Sequence, residues 1–256
     1  MKHPKNVSIL AFSLVELLVV IAIIALLASI LLPVCALIKE KARIKKARIE
    51  IAQIATGLCN YESDYGRFPV SASTLQAAAA RNDDFTFGTA GVANTTLNVQ
   101  ALDPFGGILP YQANNSEVMA ILLDNDSAAV NLRHAKNPQR KIYLPVKRVS
   151  DTSSPGVGLD GVYRDPWGNP YIITIDLSND GKARDAIYGA QSYSQLANGQ
   201  SAGFDGLFNS VDPLGAGNHY ECSEPVMVWS AGPDKMIDTS TNANQGANRD
   251  NILSWK

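Results

Sequence analysis

From Leu17 to Ile38 the chain reads LLVVIAIIALLASILLPVCALI, without one charged residue. Coiled as a helix, such a run of about 22 residues is roughly 33 Å long, enough to cross a hydrocarbon core of about 30 Å. A cleaved secretory signal would use Lys2 and Lys5 as its basic start and Val34-Cys35-Ala36 as its cut. The run is longer than the apolar core of about 7–15 residues that such signals carry. A lipoprotein signal at Cys35 would need a small residue before the cysteine, where Leu32-Pro33-Val34 stand. The remaining reading is a membrane anchor.

Two residues ask for more than an anchor. Glu16 stands directly at the start of the run, where an unpaired carboxylate costs on the order of 3 kcal/mol, so a partner is expected. Pro33 lies deep inside it, removes one helix hydrogen bond and tends to bend the helix. The rest of the chain has room for a folded core, with 46% hydrophobic residues, 18% charged residues and a net charge of −2. That near-neutral balance gives no reason to expect a nucleic-acid partner.

The segment Ala11-Phe12-Ser13-Leu14-Val15-Glu16, followed by the apolar run, resembles the cleavage and methylation signal of type IV prepilins and type II secretion pseudopilins. The resemblance implies that a prepilin peptidase removes the short basic leader MKHPKNVSILA and that Phe12 becomes an N-methylated first residue. Counted from Phe12, Glu16 is then the fifth residue and Pro33 stands where helices of this family kink. Ala11 replaces the glycine usual before the cut, the mildest steric change available. Glu16 would meet the charged amine of Phe12 on a neighbouring subunit, setting register, or reach back one turn to its own Phe12.

Past the membrane, Ile44, Ala47, Ile51, Ile54, Leu58, Tyr61 and Tyr65 recur in steps of three and four, the stripe of a helix packing one face. Lys39, Lys41, Arg43, Lys45, Lys46 and Arg48 crowd its start, facing solvent, acids of neighbouring subunits or lipid headgroups. By the positive-inside rule this basic flank belongs in the cytoplasm. The resemblance implies the reverse, a head in the periplasm. The helix should end at Asp64–Gly66, with Pro69 blocking continuation. Its closing aromatic-x-x-Asp-x-Gly-Arg-aromatic-Pro turn resembles that of the major pseudopilin of type II secretion.

In the head, residues 70–160 give weak signals: Ala77–Ala80, the Asn/Thr patch at 94–98 and Gly106-Gly107 suggest loops and short elements. Ser116 to Leu123 reads as a short helix capped by Asn115 or Ser116, and Lys141 to Lys147 alternates as a strand. Asp165-Pro166-Trp167-Gly168-Asn169-Pro170-Tyr171 resembles the pseudopilin pattern Asp-Pro-Trp-Gly-x-Pro-Tyr and leads into a strand at Ile172–Ile175. Another strand, Val226 to Trp229, precedes a polar C-terminal stretch resembling the pseudopilin loop that wraps calcium. Asp234, Asp238 and Asp250, with Asn242, Asn244, Asn248 and Asn251, supply the hard oxygens calcium prefers. The expected ligand set is Asp234, Asp250, Asn251, Ser230 and Asp238. By contrast, Asp176-x-Ser178-x-Asp180-Gly181 lacks the closing glutamate of an EF-hand, with Ile187 in its place, and reads as a turn.

Cys35 lies in the apolar run, so only Cys59 and Cys222 are candidates to pair outside a membrane. Neither His134 nor His219 sits in a nucleophile or zinc motif, and no enzyme is expected. The expected fold is α+β, a long N-terminal helix on a small antiparallel sheet with long loops. Residues 1–11 are the leader, 12–38 the membrane and polymerisation helix, 39–69 its amphipathic continuation and 70–256 the periplasmic head, with the calcium loop at 230–255. The expected function is that of a filament subunit, assembling with its own kind and other pseudopilins from the inner membrane to support protein export. A surface pilin or minor pilin for adhesion or DNA uptake, and a binding domain sorted by pilin-type processing, are the alternatives.

Overall fold

The computed structural model describes residues 13–80, 83–89, 114–196, 199–211 and 218–256. Two compact units emerge, Met1–Ala42 and Arg43–Lys256. One helix, α1 (Leu14–Tyr65), begins in the first and continues into the second, running unbroken through Pro33. Its apolar start has a mean hydropathy of 3.1 and buries nothing within the chain, so Leu17, Ile23, Leu31 and their neighbours stand exposed. It is the one helix among the described residues long and apolar enough to cross a membrane.

In the second unit α1 becomes one wall of the core. Ala47, Ile51, Ile54, Leu58 and Tyr61 are buried and Ile44 and Tyr65 pack at the margin, as the three-four spacing predicts. Gly57 lies on the same face, and a methyl group there would come within 3.0 Å of the Tyr143 carbonyl oxygen. Ser71, whose hydroxyl accepts from Thr74 N–H at 3.1 Å, caps helix α2 (Ala72–Ala79), so the alanine run is mostly helical. Strand β1 (Phe85–Phe87) follows, then α3 (Ser116–Leu122), two short strands β2 (Gly156–Val157) and β3 (Tyr163–Arg164), and β4 (Ile172–Ile175). The helical turn α4 (Gln191–Ser194) precedes β5 (Gln195–Leu196), β6 (Gly199–Gly203), β7 (Phe208–Val211) and β8 (Asn218–Glu221). The chain closes with β9 (Val226–Ser230) and β10 (Ile252–Leu253).

The central sheet has the order β1-β4-β9-β10 and is antiparallel throughout, with Phe85 opposite Ile175, Ile172 opposite Trp229 and Ile252 opposite Ser230. β4 and β9 are buried along their whole length, which accounts for sequences that are apolar on both faces apart from Thr174 and Ser230. Ile173, Ile175, Val226 and Val228 share one face by strand alternation. The other carries Thr86, Thr174 and Trp229, three polar-edged side chains inside a core.

Asp185 satisfies that face. Fully buried, its carboxylate accepts from Thr174 Oγ1 at 2.6 Å, Trp229 Nε1 at 3.0 Å, Ile187 N–H at 2.8 Å and Tyr188 N–H at 2.9 Å. The Tyr188 ring then stands edge-on to Trp229 at 5.0 Å. A second antiparallel sheet, β5-β6-β7-β8, lies beyond this point, joined back by bridges of Ala190 to His219 and Ala183 to Cys222.

The observed α+β arrangement, a long N-terminal helix with small antiparallel sheets, is the one expected. The strand expected at Lys141–Lys147 is a correction: the segment forms no strand, and a ladder contact comes only at its end, where Lys147 O accepts from Val157 N–H at 2.9 Å and Arg148 bridges to Val157. Tyr143 and Leu144 are both buried, whereas Ile142 and Pro145 face solvent, so alternation fails; Pro145 also brings no N–H for a ladder. The Asn/Thr patch at 94–98 and Gly106-Gly107 lie outside the described residues.

Candidate functional site

At the start of α1, Ser13 N–H donates to Glu16 Oε2 at 2.9 Å and Glu16 N–H donates to Ser13 Oγ at 3.2 Å. This is a capping box, two otherwise orphaned N–H groups satisfied reciprocally. The spacing Ser13-x-x-Glu16 is the sequence signal of such a box. Glu16 therefore has a local role in starting the helix. The junction Ala11–Phe12 and the leader lie outside the described residues.

At the other end of α1 the closing turn is tied to the head by side chains. Gly66 adopts φ +62°, the left-handed conformation expected of a C-cap, and its N–H reaches Glu62 O at 2.7 Å. Tyr61 hydroxyl donates to Lys136 O at 2.5 Å and Tyr65 hydroxyl to Asn137 Oδ1 at 2.9 Å. Asp64 Oδ2 accepts from Lys141 Nζ at 2.6 Å and Tyr143 hydroxyl at 2.7 Å, bonds that hold its carboxyl below the usual range. Higher on the helix, Glu50 Oε2 accepts from the Tyr171 hydroxyl at 2.6 Å. The aromatic and acidic residues of the turn thus act as a clamp between helix and head.

Tyr171 ends the Asp165–Tyr171 turn. Asp165 is fully buried; its Oδ1 accepts from Trp167 N–H and Asn169 N–H, each at 2.9 Å, and its Oδ2 from Ser230 Oγ at 2.6 Å. Gly168 is required by its φ of +95° and because a Cβ would come within 2.7 Å of Ser153 O. The motif is a structural joint, linking the end of β9 to the turn before β4.

The expected calcium ligands fall into separate places. Ser230 is committed to Asp165. Asp234 and Asp250 come together, Asp250 Oδ2 accepting from Asp234 N–H at 3.1 Å. Gly232, φ +73°, allows this, since a Cβ there would meet Asp250 O at 2.3 Å. Asn251 Nδ2 donates to the hydroxyls of Tyr188 at 3.0 Å and Tyr193 at 3.3 Å, while its Oδ1 is buried without a hydrogen-bond partner among the described residues. Asp238 closes its own turn through Ser240 N–H at 2.9 Å and Ser240 Oγ at 2.5 Å. Among the described residues no three His, Cys, Asp or Glu side chains are grouped to hold a metal ion. The buried Asn251 Oδ1 and the carboxylates of Asp234 and Asp250 are oxygens of the kind calcium takes, Asp234 Oδ1 already accepting from Met236 N–H at 2.8 Å; Ser230 Oγ and the Asp238 carboxylate are engaged in hydrogen bonds of their own.

The loop is also less bare than its composition suggests. Ile237 and Ala243 are buried, Ala243 N–H donating to Tyr193 O at 2.8 Å. The Asp176 segment is the turn its sequence implies: Asp176 accepts from Asn179 N–H at 2.6 Å and Gly181 N–H at 2.8 Å. Cys59 and Cys222 are free thiols, the first exposed and the second buried.

Beside that turn lies Asp84, buried, accepting N–H groups from Leu177 at 3.1 Å, Ser178 at 3.3 Å and Arg184 at 2.8 Å. Burial pushes its pKa up to about 7, against the pull of these bonds, and Asp176 and Asp83 add repulsion. Burial likewise raises Asp165 to about 6. Both groups hold a proton more tightly folded than unfolded. Stability from them is fully present below about pH 4 and is lost as pH rises through 6 and 7. The full-length chain in detergent is expected to melt several degrees higher at pH 5 than at pH 8. Asp84→Asn should reduce that slope, and an unchanged slope would contradict the assignment. The carboxyls held low, Asp64, Asp160 and Asp238, titrate below this window.

A long partly apolar helix clamped to small antiparallel sheets defines a pilin-like class of chain. A family model, type II secretion system (T2SS), protein G, matches residues 36–125. The match runs from the end of the apolar segment through the amphipathic part of α1 and its clamp turn to just past α3, about a third of the chain. It supports a pseudopilin-like protein, of a family that is structural and not enzymatic. Glu16, the Asp165–Tyr171 turn and the C-terminal loop lie outside it. No curated protein and no solved structure matches.

Proposed function

We propose that this chain is a structural subunit of a pseudopilus, a short filament assembled from the inner membrane to support protein export. The observation that carries the proposal is the protein G match over residues 36–125, lying on a helix whose exposed apolar start precedes it. In this reading a prepilin peptidase cuts before Phe12, residues 12–38 anchor the subunit and then pack in the filament, and the head lies in the periplasm. Assembly is driven by burying the apolar part of α1 against its neighbours, with the clamp at Asp64, Tyr61 and Tyr65 keeping the head fixed to the helix. Immunogold labelling of spheroplasts and intact cells is the test. Periplasmic filaments support the proposal; labelled fibres on the intact surface favour a surface pilin, and dispersed label favours a sorted binding domain.

The base of the C-terminal loop would hold calcium through Asp234, Asp250 and Asn251, drawing the segments before and after the loop together. Added calcium should then raise the melting temperature of the full chain, and Asp234→Ala should abolish the rise. No shift in the unaltered chain would dismiss the site.

A further inference from the structure

The tip of the C-terminal loop is organised around one buried amide. Asn248 is 2% exposed, and its Nδ2 lies 2.8 Å from Asp238 O, 3.3 Å from Thr241 O, 3.2 Å from Thr241 Oγ1 and 3.1 Å from Asn242 O. Its Oδ1 accepts from Asp238 N–H at 2.9 Å. Four oxygens thus converge on a nitrogen that has only two hydrogens to give. Only Thr241 Oγ1 has a hydrogen of its own to give, lying 3.2 Å from Asp238 Oδ2 and 3.4 Å from Asp238 O; the three carbonyl oxygens repel one another unless a positive centre sits among them. In proteins that centre is commonly a hard cation; here it is the partial positive charge of an amide.

We propose that Asn248 fills a latent cation site, so that the loop tip, residues 238–242, holds its shape without a metal ion. The lock is separate from the calcium proposed at the base, which uses Asp234, Asp250 and Asn251, and it stands whether or not that calcium binds. It also accounts for Asp238: the residue belongs to the tip, its carboxylate closing the turn while its backbone carbonyl and N–H grip Asn248. The geometry makes a further demand. An aspartate at this position would place a carboxylate oxygen among the same four oxygens, and the tip would then need a cation to fold.

The test is hydrogen exchange at the amides of residues 238–248 in the full-length chain in detergent, with excess EDTA and with millimolar calcium. In the unaltered protein the tip amides should already be protected in EDTA. Asn248→Ala should lose protection on the order of tenfold or more in both. Asn248→Asp should lose it in EDTA and regain it in calcium. An unaltered tip that is unprotected in EDTA would overturn the proposal, as would Asn248→Ala with full protection or Asn248→Asp blind to calcium. Exchange in β4 reports whether each variant keeps its fold. Failure of the basal calcium site appears differently, as a melting temperature indifferent to calcium with the tip still protected.

Discussion

Replacing Asp185 by alanine is expected to cost about 3–5 kcal/mol, enough to unfold much of the head at ordinary temperatures. Four donors converge on this carboxylate: the hydroxyl of Thr174, the indole N–H of Trp229 and the N–H groups of Ile187 and Tyr188. All are inside the core, and alanine leaves the indole and the two backbone N–H groups with nothing to bond, only the Thr174 hydroxyl keeping a neighbour in Thr86 Oγ1 at 2.9 Å. The loss should spread, because the Asp185 turn places Tyr188 against Trp229 and Trp255, at 5.0 and 5.1 Å. Denaturation of the full chain followed by tryptophan near-ultraviolet dichroism measures it. Asp185→Asn, which retains one acceptor oxygen, should fall between the two. An alanine variant within about 1 kcal/mol of the original would mean that the donors find other partners.

Glu16→Gln should abolish filament assembly while leaving the helix start intact. Glutamine serves as well as glutamate at the third position of a capping box, so the Ser13 bonds survive. What disappears is the negative charge, which in the proposed filament meets the N-terminal amine of a neighbouring subunit. An amine stranded among apolar helices costs on the order of 3 kcal/mol, about a hundredfold in association. Ser13→Ala is the complementary variant, weakening the cap but keeping the charge, and should reduce assembly only slightly. Pelleted filament from cells expressing each variant gives the comparison. Equal assembly by Glu16→Gln and the original would leave Glu16 with capping alone.

Features written in local spacing were legible in the sequence. The stripe from Ile44 to Tyr65 predicted which face of α1 is buried, and the two central strands were placed at Ile172–Ile175, behind the Asp165–Tyr171 turn, and at Val226–Trp229. The Asp165–Tyr171 turn was legible as a motif, although its work, a bond from Ser230 to a buried carboxylate, was not. What escaped depends on distant partners. β1 is only Phe85–Phe87 and becomes a strand because Ile173–Ile175 lies open to pair with it. The β5–β8 sheet is built from short, polar, glycine-containing segments without a clear period-two signal. Asp185 carried no signal and Asn248 read as one of several calcium oxygens, since nothing local announces how many donors or acceptors the fold will bring to them. The Lys141–Lys147 segment shows the opposite error, a local alternation that no neighbouring strand completes.

The central claim, that this chain is processed as a pilin-like subunit, is tested most directly by intact mass and N-terminal sequencing of the protein extracted from membranes. The expected product is a chain beginning at Phe12 with a methyl group on its amine. A chain still beginning at Met1, or one beginning at Leu37, would contradict it.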